Sequence, residues 1–301
     1  MTTLSFAVAY VIIATLSSAF STSRRHHHFI HQPFERPAVL CETRYTIDDT
    51  VCPPSRPHLL QSAVEKACSS LDLFLSHKPI AAHTQQAFNS LIELVDVRSK
   101  PIILDSGCGT GKSTLLLAKK YPDHWVIGVD RSFNRLKKQQ QRTQATATDG
   151  MLSSKRPLCE QVSDNAFLVR AELVDFWTCC LQQEWEIDEH YLLYPNPYPT
   201  QTRLTQRWYA HPSFPLILQL GAKRITIRSN WEGYLKEFAK SVEIAHEHYK
   251  SRPTNFAQAY LVSAQRGPAE RTNKSEAWTN FEQKYDAVGE PTFELLLQAD
   301  I

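Results

Sequence analysis

Residues Leu104–Thr114 read LDSGCGTGKST, and this short stretch constrains the fold more than any other. An apolar run opened by Pro101 ends at Asp105, glycines follow at every second position from 107 to 111, and helical spacing begins at Ser113. A strand that turns into a helix through so many glycines belongs to an α/β architecture, because such a turn lets the backbone adopt positive φ and approach a ligand closely. Its ending, Gly111-Lys112-Ser113, resembles a phosphate loop, but that loop needs a glycine at position 106, where this chain has Ser106. The dinucleotide fingerprint also fails, since its third glycine would fall on Lys112. What remains is Asp105-x-Gly107-x-Gly109-x-Gly111, and Lys112-Ser113 reads as an ordinary helix start.

A cofactor turn of this kind works with an acid at the end of the next strand, placed to accept from a ribose diol. Val126-Ile-Gly-Val-Asp130 supplies that acid 19 residues beyond Gly111, with Arg131 directly after it. Ala171-Glu172 follows a third apolar run and stands where the adenine end of a nucleotide would be met. The spacing [DE]xGxGxG is that of enzymes using S-adenosylmethionine (SAM). Asp105, Gly107, Gly109, Gly111, Asp130, Arg131 and Glu172 are therefore the candidate cofactor-binding residues. No metal is expected.

The alternation continues along the chain. Strands are predicted at Ile102–Asp105, Trp125–Asp130, Ala166–Arg170, His190–Tyr194 and Arg224–Arg228, with closing strands at Phe256–Val262 and Thr292–Leu297. Helices are predicted at Ser113–Lys120, Ser132–Arg142, Val174–Gln183, around Pro215–Leu220 and at Glu232–Tyr249, and Thr143–Asp164 reads as a polar, mobile loop. The alternation predicts a mostly parallel α/β sheet with helices on both faces over residues 101–301, and with the SAM-type turn the expected fold is the Rossmann-like, seven-stranded one of SAM-dependent methyltransferases. Leu59–Leu75 and Ala81–Val97 read as two helices of an N-terminal extension, residues 58–100.

Residues 1–19 carry no charge, hold an apolar run from Leu4 to Leu16 and end in Ser17-Ser18-Ala19, which reads as a cleavable signal peptide too short for a membrane span. Residues 20–57 read as a transit and linker segment that starts with an aromatic residue, is basic, and has no acid before Glu35. Together they resemble the two-part plastid presequence of algae with secondary plastids, implying a plastid stroma with no stable membrane insertion after processing. Secretion and a signal anchor are the alternatives. Seven cysteines without a paired spacing fit a reducing compartment. His26–His28 fall in the presequence, where a metal role is not expected. The net charge of +2 does not argue for nucleic acid, but two stretches are one-signed. Arg131–Thr148 and Thr200–Trp231 each hold five basic residues and no acid, a pattern suited to phosphates as well as to a solvated face.

The segment Tyr191-Leu-Leu-Tyr-Pro-Asn-Pro-Tyr-Pro199 puts three prolines in five residues after a strand, which forces a stiff extended loop at the carboxyl edge of the sheet. That edge is where open α/β sheets bind ligands, and Tyr194 or Tyr198 could stack a base there. With Tyr194-Pro-Asn-Pro-Tyr-Pro199, Arg203 and Gln206-Arg207, then Ser229-Asn-Trp-Glu-Gly-Tyr234, then Thr279-Asn-Phe-Glu-Gln-Lys284, the chain resembles the TrmB-type tRNA (guanine-N7)-methyltransferases. It resembles a divergent member most. The family patterns are FPDPWPKKRHxKRR, TDWExY and T[KR][FY]ExR, and the likeness runs in order over about residues 101–297.

The resemblance implies a SAM-dependent enzyme that methylates N7 of a guanine in tRNA. It places Asn196 at the catalytic position and Tyr198, Arg203, Arg207, Asn230, Glu232, Thr279 and Glu282 at substrate-binding ones. Glu232 also reads as a first-turn helix acid, and Thr279 with Glu282 as a local helix cap. The chain departs from the family where Asn196 and Asn230 replace acids that hold guanine, and where most basic residues after the proline loop are missing. A carboxylate accepts from both guanine N–H groups, whereas an amide offers one acceptor and an NH₂. The transfer itself needs no general base, because N7 carries an in-plane lone pair and has only to be aligned with the methyl group. Two alternatives stay open. Asn196-Pro197-Tyr198 partly resembles the [DN]PP[YF] loop of enzymes that methylate exocyclic amino groups, and a non-catalytic RNA-binding subunit could keep the same fold.

Overall fold

The computed structural model describes residues 53–137, 157–250, 260–262, 269–271 and 277–299, all within one compact unit, Tyr45–Ile301. The expected signal peptide, nearly all of the transit and linker segment, residues 138–142 of the helix predicted at Ser132–Arg142 and residues 143–156 of the polar excursion lie outside the described residues. Among the described residues no helix is long and apolar enough to cross a membrane.

Three helices precede the sheet: α1 (Pro57–Ser69), α2 (Leu71–Ser76) and α3 (Ala82–Leu94). Leu60, Val64, Ala67 and Cys68 of α1 recur at helical spacing and are buried, the pattern of a helix with one core-facing stripe. Thr84, Ala87, Phe88 and Leu91 do the same on α3. There Phe88 stacks on Trp185 with ring centroids 4.9 Å apart and meets Phe176 edge-on at 5.3 Å. The extension thereby shares the main core.

The domain continues as β1 (Ile102–Ser106), α4 (Lys112–Lys120), β2 (Trp125–Val129), α5 (described over residues 133–137), β3 (Cys159–Ser163), β4 (Ala166–Val169) and α6 (Leu173–Gln182). Then come β5 (Ile187–Leu193), α7 (Phe214–Gln219), β6 (Arg224–Ser229), α8 (Glu232–Lys250), β7 (Tyr260–Val262), β8 (Ala269–Glu270), α9 (Asn280–Ala287) and β9 (Phe293–Ala299). The sheet order is β3-β4-β2-β1-β5-β6-β9-β7, with β8 added beside β9. Strands β4, β2, β1, β5 and β6 are parallel, and β9 runs antiparallel between β6 and β7. Within this nine-stranded sheet, the seven strands from β4 to β7 are the ones the sequence predicts, and β3 and β8 are additions.

Strand β1 is buried along its whole length, as a parallel strand covered on both faces must be. The chain order reverses at β1, with β2 on one side and β5 on the other. That reversal is the switch point where an open sheet leaves a crevice beyond its carboxyl ends. Gly128 in β2 is needed for packing, since a Cβ there would overlap the Thr114 side chain of α4.

Two expectations need correction. Leu59–Leu75 was expected as one helix, but it breaks at Ser70 into α1 and α2. Thr143–Asp164 was expected as loop throughout, yet Cys159–Ser163 forms an edge strand antiparallel to β4. Only Cys159 of the five is buried, so the segment lacks the apolar signature of a core strand and owes its shape to pairing with β4.

Candidate active site

The crevice beyond β1, β2, β4 and β5 is a cavity of about 420 Å³. Ser106, Gly107, Asp130, Arg131, Arg135 and Glu172 line it from the glycine-turn side, and Tyr194, Asn196, Tyr198, Trp208 and His211 from the proline-loop side. A larger depression of about 910 Å³ opens at the opposite edge, at the amino ends of β1, β5 and β6. Its charges neutralise one another, as where Lys223 meets Asp188 at 2.6 Å. Position rather than size identifies the site, because it is the carboxyl edge that holds the turns converging at the switch point.

Gly107, Gly109 and Gly111 all have positive φ, at 79°, 61° and 78°. A Cβ on Gly107 or Gly109 would meet nothing within 4 Å, whereas one on Gly111 would press on Leu168 at 2.9 Å. The first two glycines therefore leave an open cradle before the turn, and the third lets α4 start close against β4. Asp130 closes β2 and holds the turn. Its Oδ2 accepts from the Gly109 amide at 3.0 Å and meets Arg135 at 3.2 Å, while Oδ1 accepts from the Ser132 amide at 2.6 Å. A carboxylate has about four acceptor directions, so Oδ1 keeps one for a ligand hydroxyl. The open cradle, this acid and a volume within the usual 300–1,000 Å³ of small-molecule sites fit SAM.

Asp105 was expected to face the cofactor. It is instead fully buried beneath the turn, with Oδ2 accepting from Ser113 Oγ and Thr114 Oγ1, both at 2.7 Å. It lines no part of the cavity and ties β1 to the start of α4. Burial raises its carboxyl to about 6, against the two hydroxyl hydrogen bonds that lower it. Glu172 does line the cavity and caps α6, accepting from the amides of Val174 at 2.9 Å and Asp175 at 3.3 Å. Lys78, in the turn between α2 and α3, sits 3.3 Å from the same carboxylate and also pairs with Asp175.

On the other wall the proline loop is strained. Tyr194 and Tyr198 have positive φ, 54° and 42°, a conformation uncommon and costly for residues with a Cβ. The Tyr194 ring turns toward α9, stacks near Phe281 at 6.0 Å and donates its hydroxyl to Glu282 Oε1 at 3.1 Å. Burial raises the Tyr194 phenol, with Glu282 adding to the effect, so it remains a donor. Asn196 is exposed at the rim, and its Oδ1 accepts from the Tyr198 amide at 3.1 Å.

Several expected substrate contacts fall elsewhere. Arg207 is fully buried and donates to Glu237 Oε2 at 3.0 Å, Tyr209 Oη at 2.9 Å and Ser55 Oγ at 3.2 Å. Its Nε reaches the Tyr198 carbonyl at 3.2 Å, and its plane lies 5.1 Å from the Trp231 ring. It clamps the proline loop from behind. Thr279 caps α9 by accepting from the Glu282 amide at 3.1 Å. Glu282 is fully buried and accepts from Arg228 at 2.9 Å, so neither reaches the cavity and the cap reading holds. Glu232 pairs with Lys236 at 2.9 Å in the first turn of α8. Arg203 is exposed, Asn230 half-buried, and neither lines the cavity.

Sequence reasoning missed Trp208 and His211. The His211 Nδ1 accepts from the Ser213 amide at 3.1 Å, which puts the neutral ring's proton on Nε2, and burial lowers its pKa. Nothing in the sequence separates this pair from the core aromatics around it. No cluster of metal-ligating side chains occurs among the described residues.

The switch-point crevice, the glycine cradle and the sheet order define a Rossmann-like fold of the SAM-dependent methyltransferase class. A family profile described as "Putative methyltransferase" (Methyltransf_4) matches residues 99–295. The chain belongs to this family, the TrmB-type one its motifs resemble. It is also 33% identical over 66 residues to trans-aconitate 2-methyltransferase of Yersinia pestis (strain Pestoides F), a match spanning 22% of this chain and 26% of that one. The chain thus covers about a quarter of such relatives' length. Among solved structures, an antibiotic-related methyltransferase shares 12% identity at a TM-score of 0.44, covering 71% of this chain and 94% of that one. The 16S rRNA methyltransferase KamB shares 14% at 0.42, covering 70% and 94%.

Proposed function

We propose that the protein transfers the methyl group of SAM to N7 of a guanine in tRNA. One observation carries the reading: the glycine cradle with Asp130 and the proline loop with Asn196 line the same cavity. A cofactor and a base held by these two walls meet inside it. When bound, SAM supplies an electrophilic methyl group. The chain's own residues do the rest by position. The Gly107–Gly111 backbone and Asp130 hold the cofactor, with Arg131 and Glu172 at its rim. Asn196 and Tyr198 orient the base, and Trp208 and His211 narrow the wall beside them. Alignment alone is worth several powers of ten in rate, and N7 has no proton to remove, which agrees with a cavity whose one histidine is held neutral by burial. The tRNA reading rests on the proline-loop motif and on the aromatic residues along that wall.

The exocyclic-amine alternative is the weaker reading, since the order Asn196-Pro197-Tyr198-Pro199 departs from [DN]PP[YF]. The N-terminal residue pattern further supports a plastid location. Methyl transfer from labelled SAM into total tRNA, followed by nucleoside analysis, tests the function. Label in 7-methylguanosine is the expected result, and label in another nucleoside, or none, overturns it.

A further inference from the structure

We propose that Asn196 selects guanine by donating from Nδ2 to O6, reading the edge that carries N7 rather than N1–H and the 2-amino group. This rests on the guanine-N7 reading above. The Tyr198 amide can only donate, and it donates to the Asn196 oxygen at 3.1 Å. That fixes which way the side-chain amide points: oxygen toward Tyr198, nitrogen away from it with two donors to offer. The turn is held against relaxation of the strained φ of 42° at Tyr198 because Arg207 Nε donates to the Tyr198 carbonyl at 3.2 Å.

The cavity also lacks what the other edge of guanine would need. Its N1–H and 2-amino groups are donors and call for a carboxylate. Asp130 and Glu172 are the carboxylates lining the cavity among the described residues, and both stand on the glycine-turn side. Asp130 grips Gly109, Ser132 and Arg135, and Glu172 caps α6. Glu237 and Glu282 are buried in ion pairs with Arg207 and Arg228. Asn230 is a second amide.

On the N7 side, guanine presents two adjacent acceptors, N7 and O6, whereas adenine presents N7 beside an amino donor. If N7 points at the cofactor, O6 lies next to it and accepts from the Asn196 amide. Adenine would set an NH₂ against an NH₂. The same contact that orients the reacting edge therefore rejects the wrong purine.

The test uses the full chain and the RNA in which labelled 7-methylguanosine has been mapped, resynthesised with a single change at that nucleotide. Affinity is measured with S-adenosylhomocysteine present, and methyl transfer with SAM. Inosine keeps O6 and N7 but loses the 2-amino group, and 1-methylguanosine keeps O6 but loses N1–H. Both should bind and react within about threefold of guanosine, whereas 2-aminopurine, which lacks O6, should fall by about tenfold or more. Asn196→Asp should weaken guanosine RNA by about tenfold while leaving inosine and guanosine equal. A larger loss with inosine or 1-methylguanosine than with 2-aminopurine overturns the proposal, as does an Asn196→Asp protein that prefers guanosine over inosine. Failure to find 7-methylguanosine at all overturns the parent reading instead, so the two failures are distinct.

Discussion

Replacing Arg207 with methionine asks whether the proline loop depends on a buried charge that never touches substrate. The guanidinium meets Glu237, Tyr209 and Ser55 through one nitrogen and the Tyr198 carbonyl through another. Methionine follows part of the side-chain stem but leaves the Glu237 carboxylate, only 7% exposed, without its cation. Removing one partner of a buried ion pair costs about 3–5 kcal/mol, against the roughly 5–15 kcal/mol that stabilises a typical domain. Adding Glu237→Gln removes the stranded charge and keeps a carbonyl oxygen for the Ser55 and Tyr209 hydroxyls, while setting its NH₂ against the Ser55 amide. Neutral replacement of a whole buried pair is often nearly free of cost, so the double variant should recover about half or more of the loss. Neither protein regains the hydrogen bond to Tyr198. A misplacement near 1 Å in a substrate-positioning group slows a reaction by about 10²-fold, and both variants should show it. SAM affinity should stay within about threefold, because the cofactor wall is built from other elements. Urea unfolding, calorimetry with SAM and methyl transfer into total tRNA measure the three quantities. A double variant with recovered stability and an undiminished transfer rate would show that the clamp serves the fold alone, and would refute the positioning role.

Three further outcomes are expected. Asp130→Ala removes the acceptor for the Gly109 and Ser132 amides and one direction for the ligand. Each charged hydrogen bond contributes about 1.5–3 kcal/mol, so calorimetry should show SAM affinity falling by at least about tenfold, and an unchanged affinity would contradict the assignment. Gly111→Ala forces a Cβ against Leu168 at 2.9 Å with φ at 78°, so it should unfold at lower urea by about 1–2 kcal/mol, more than Gly107→Ala, where space is open. Asp105→Asn tests linkage to pH. Its carboxyl is raised from 3.8 to about 6 in the folded protein, so the folded state binds the proton more tightly and stability from this group falls as pH rises from about 4 through 6, by about 3 kcal/mol in all. His190, fully buried with its pKa lowered to about 3, acts oppositely, since the unfolded chain binds more protons between about 3 and 6.5 and stability rises there. The wild-type profile sums these two with other shifted groups such as His211 and Asp188, and subtracting the Asp105→Asn profile should leave the falling one; a flat difference would show that Asp105 ionises freely.

The cofactor wall was legible because its constraints are local. Three glycines with positive φ and an acid one strand later leave a fixed spacing in the chain, and the structure sets Gly107 and Asp130 on one cavity. Even here the pattern could not tell which acid faces the cavity: Asp105 and Asp130 both end strands, yet Asp105 points toward Ser113 and Thr114 at the start of α4. The substrate wall was legible as a loop but not as a set of contacts. Arg207, Thr279 and Glu282 sit in the motifs, but motif membership does not distinguish a residue that touches substrate from one that holds the toucher. That difference lies in partners far along the chain, such as Ser55 and Glu237 for Arg207. Strand β3 escaped notice for a related reason, since an edge strand with one buried residue has no alternation to read.

These partners explain why the proline loop can be both strained and reliable. Left-handed φ at Tyr194 and Tyr198 costs energy that the loop's own residues cannot return. At one end, Tyr194 is fixed by its hydroxyl on Glu282 and by its amide on the Arg228 carbonyl at 2.9 Å. At the other, Tyr198 is fixed through its carbonyl by Arg207. Arg207 and Arg228 are both buried, each is paired with a buried glutamate, and each lies against a tryptophan ring, Trp231 at 5.1 Å and Trp278 at 4.1 Å. The two ends of the loop thus rest on equivalent posts, one built on α8 and the other on α9. Asn196 lies between them, with its oxygen accepting from the Tyr198 amide and its NH₂ turned away from that amide. Substitution at that position changes the side chain presented at the cavity rim while both posts, which rest on other residues, stay standing.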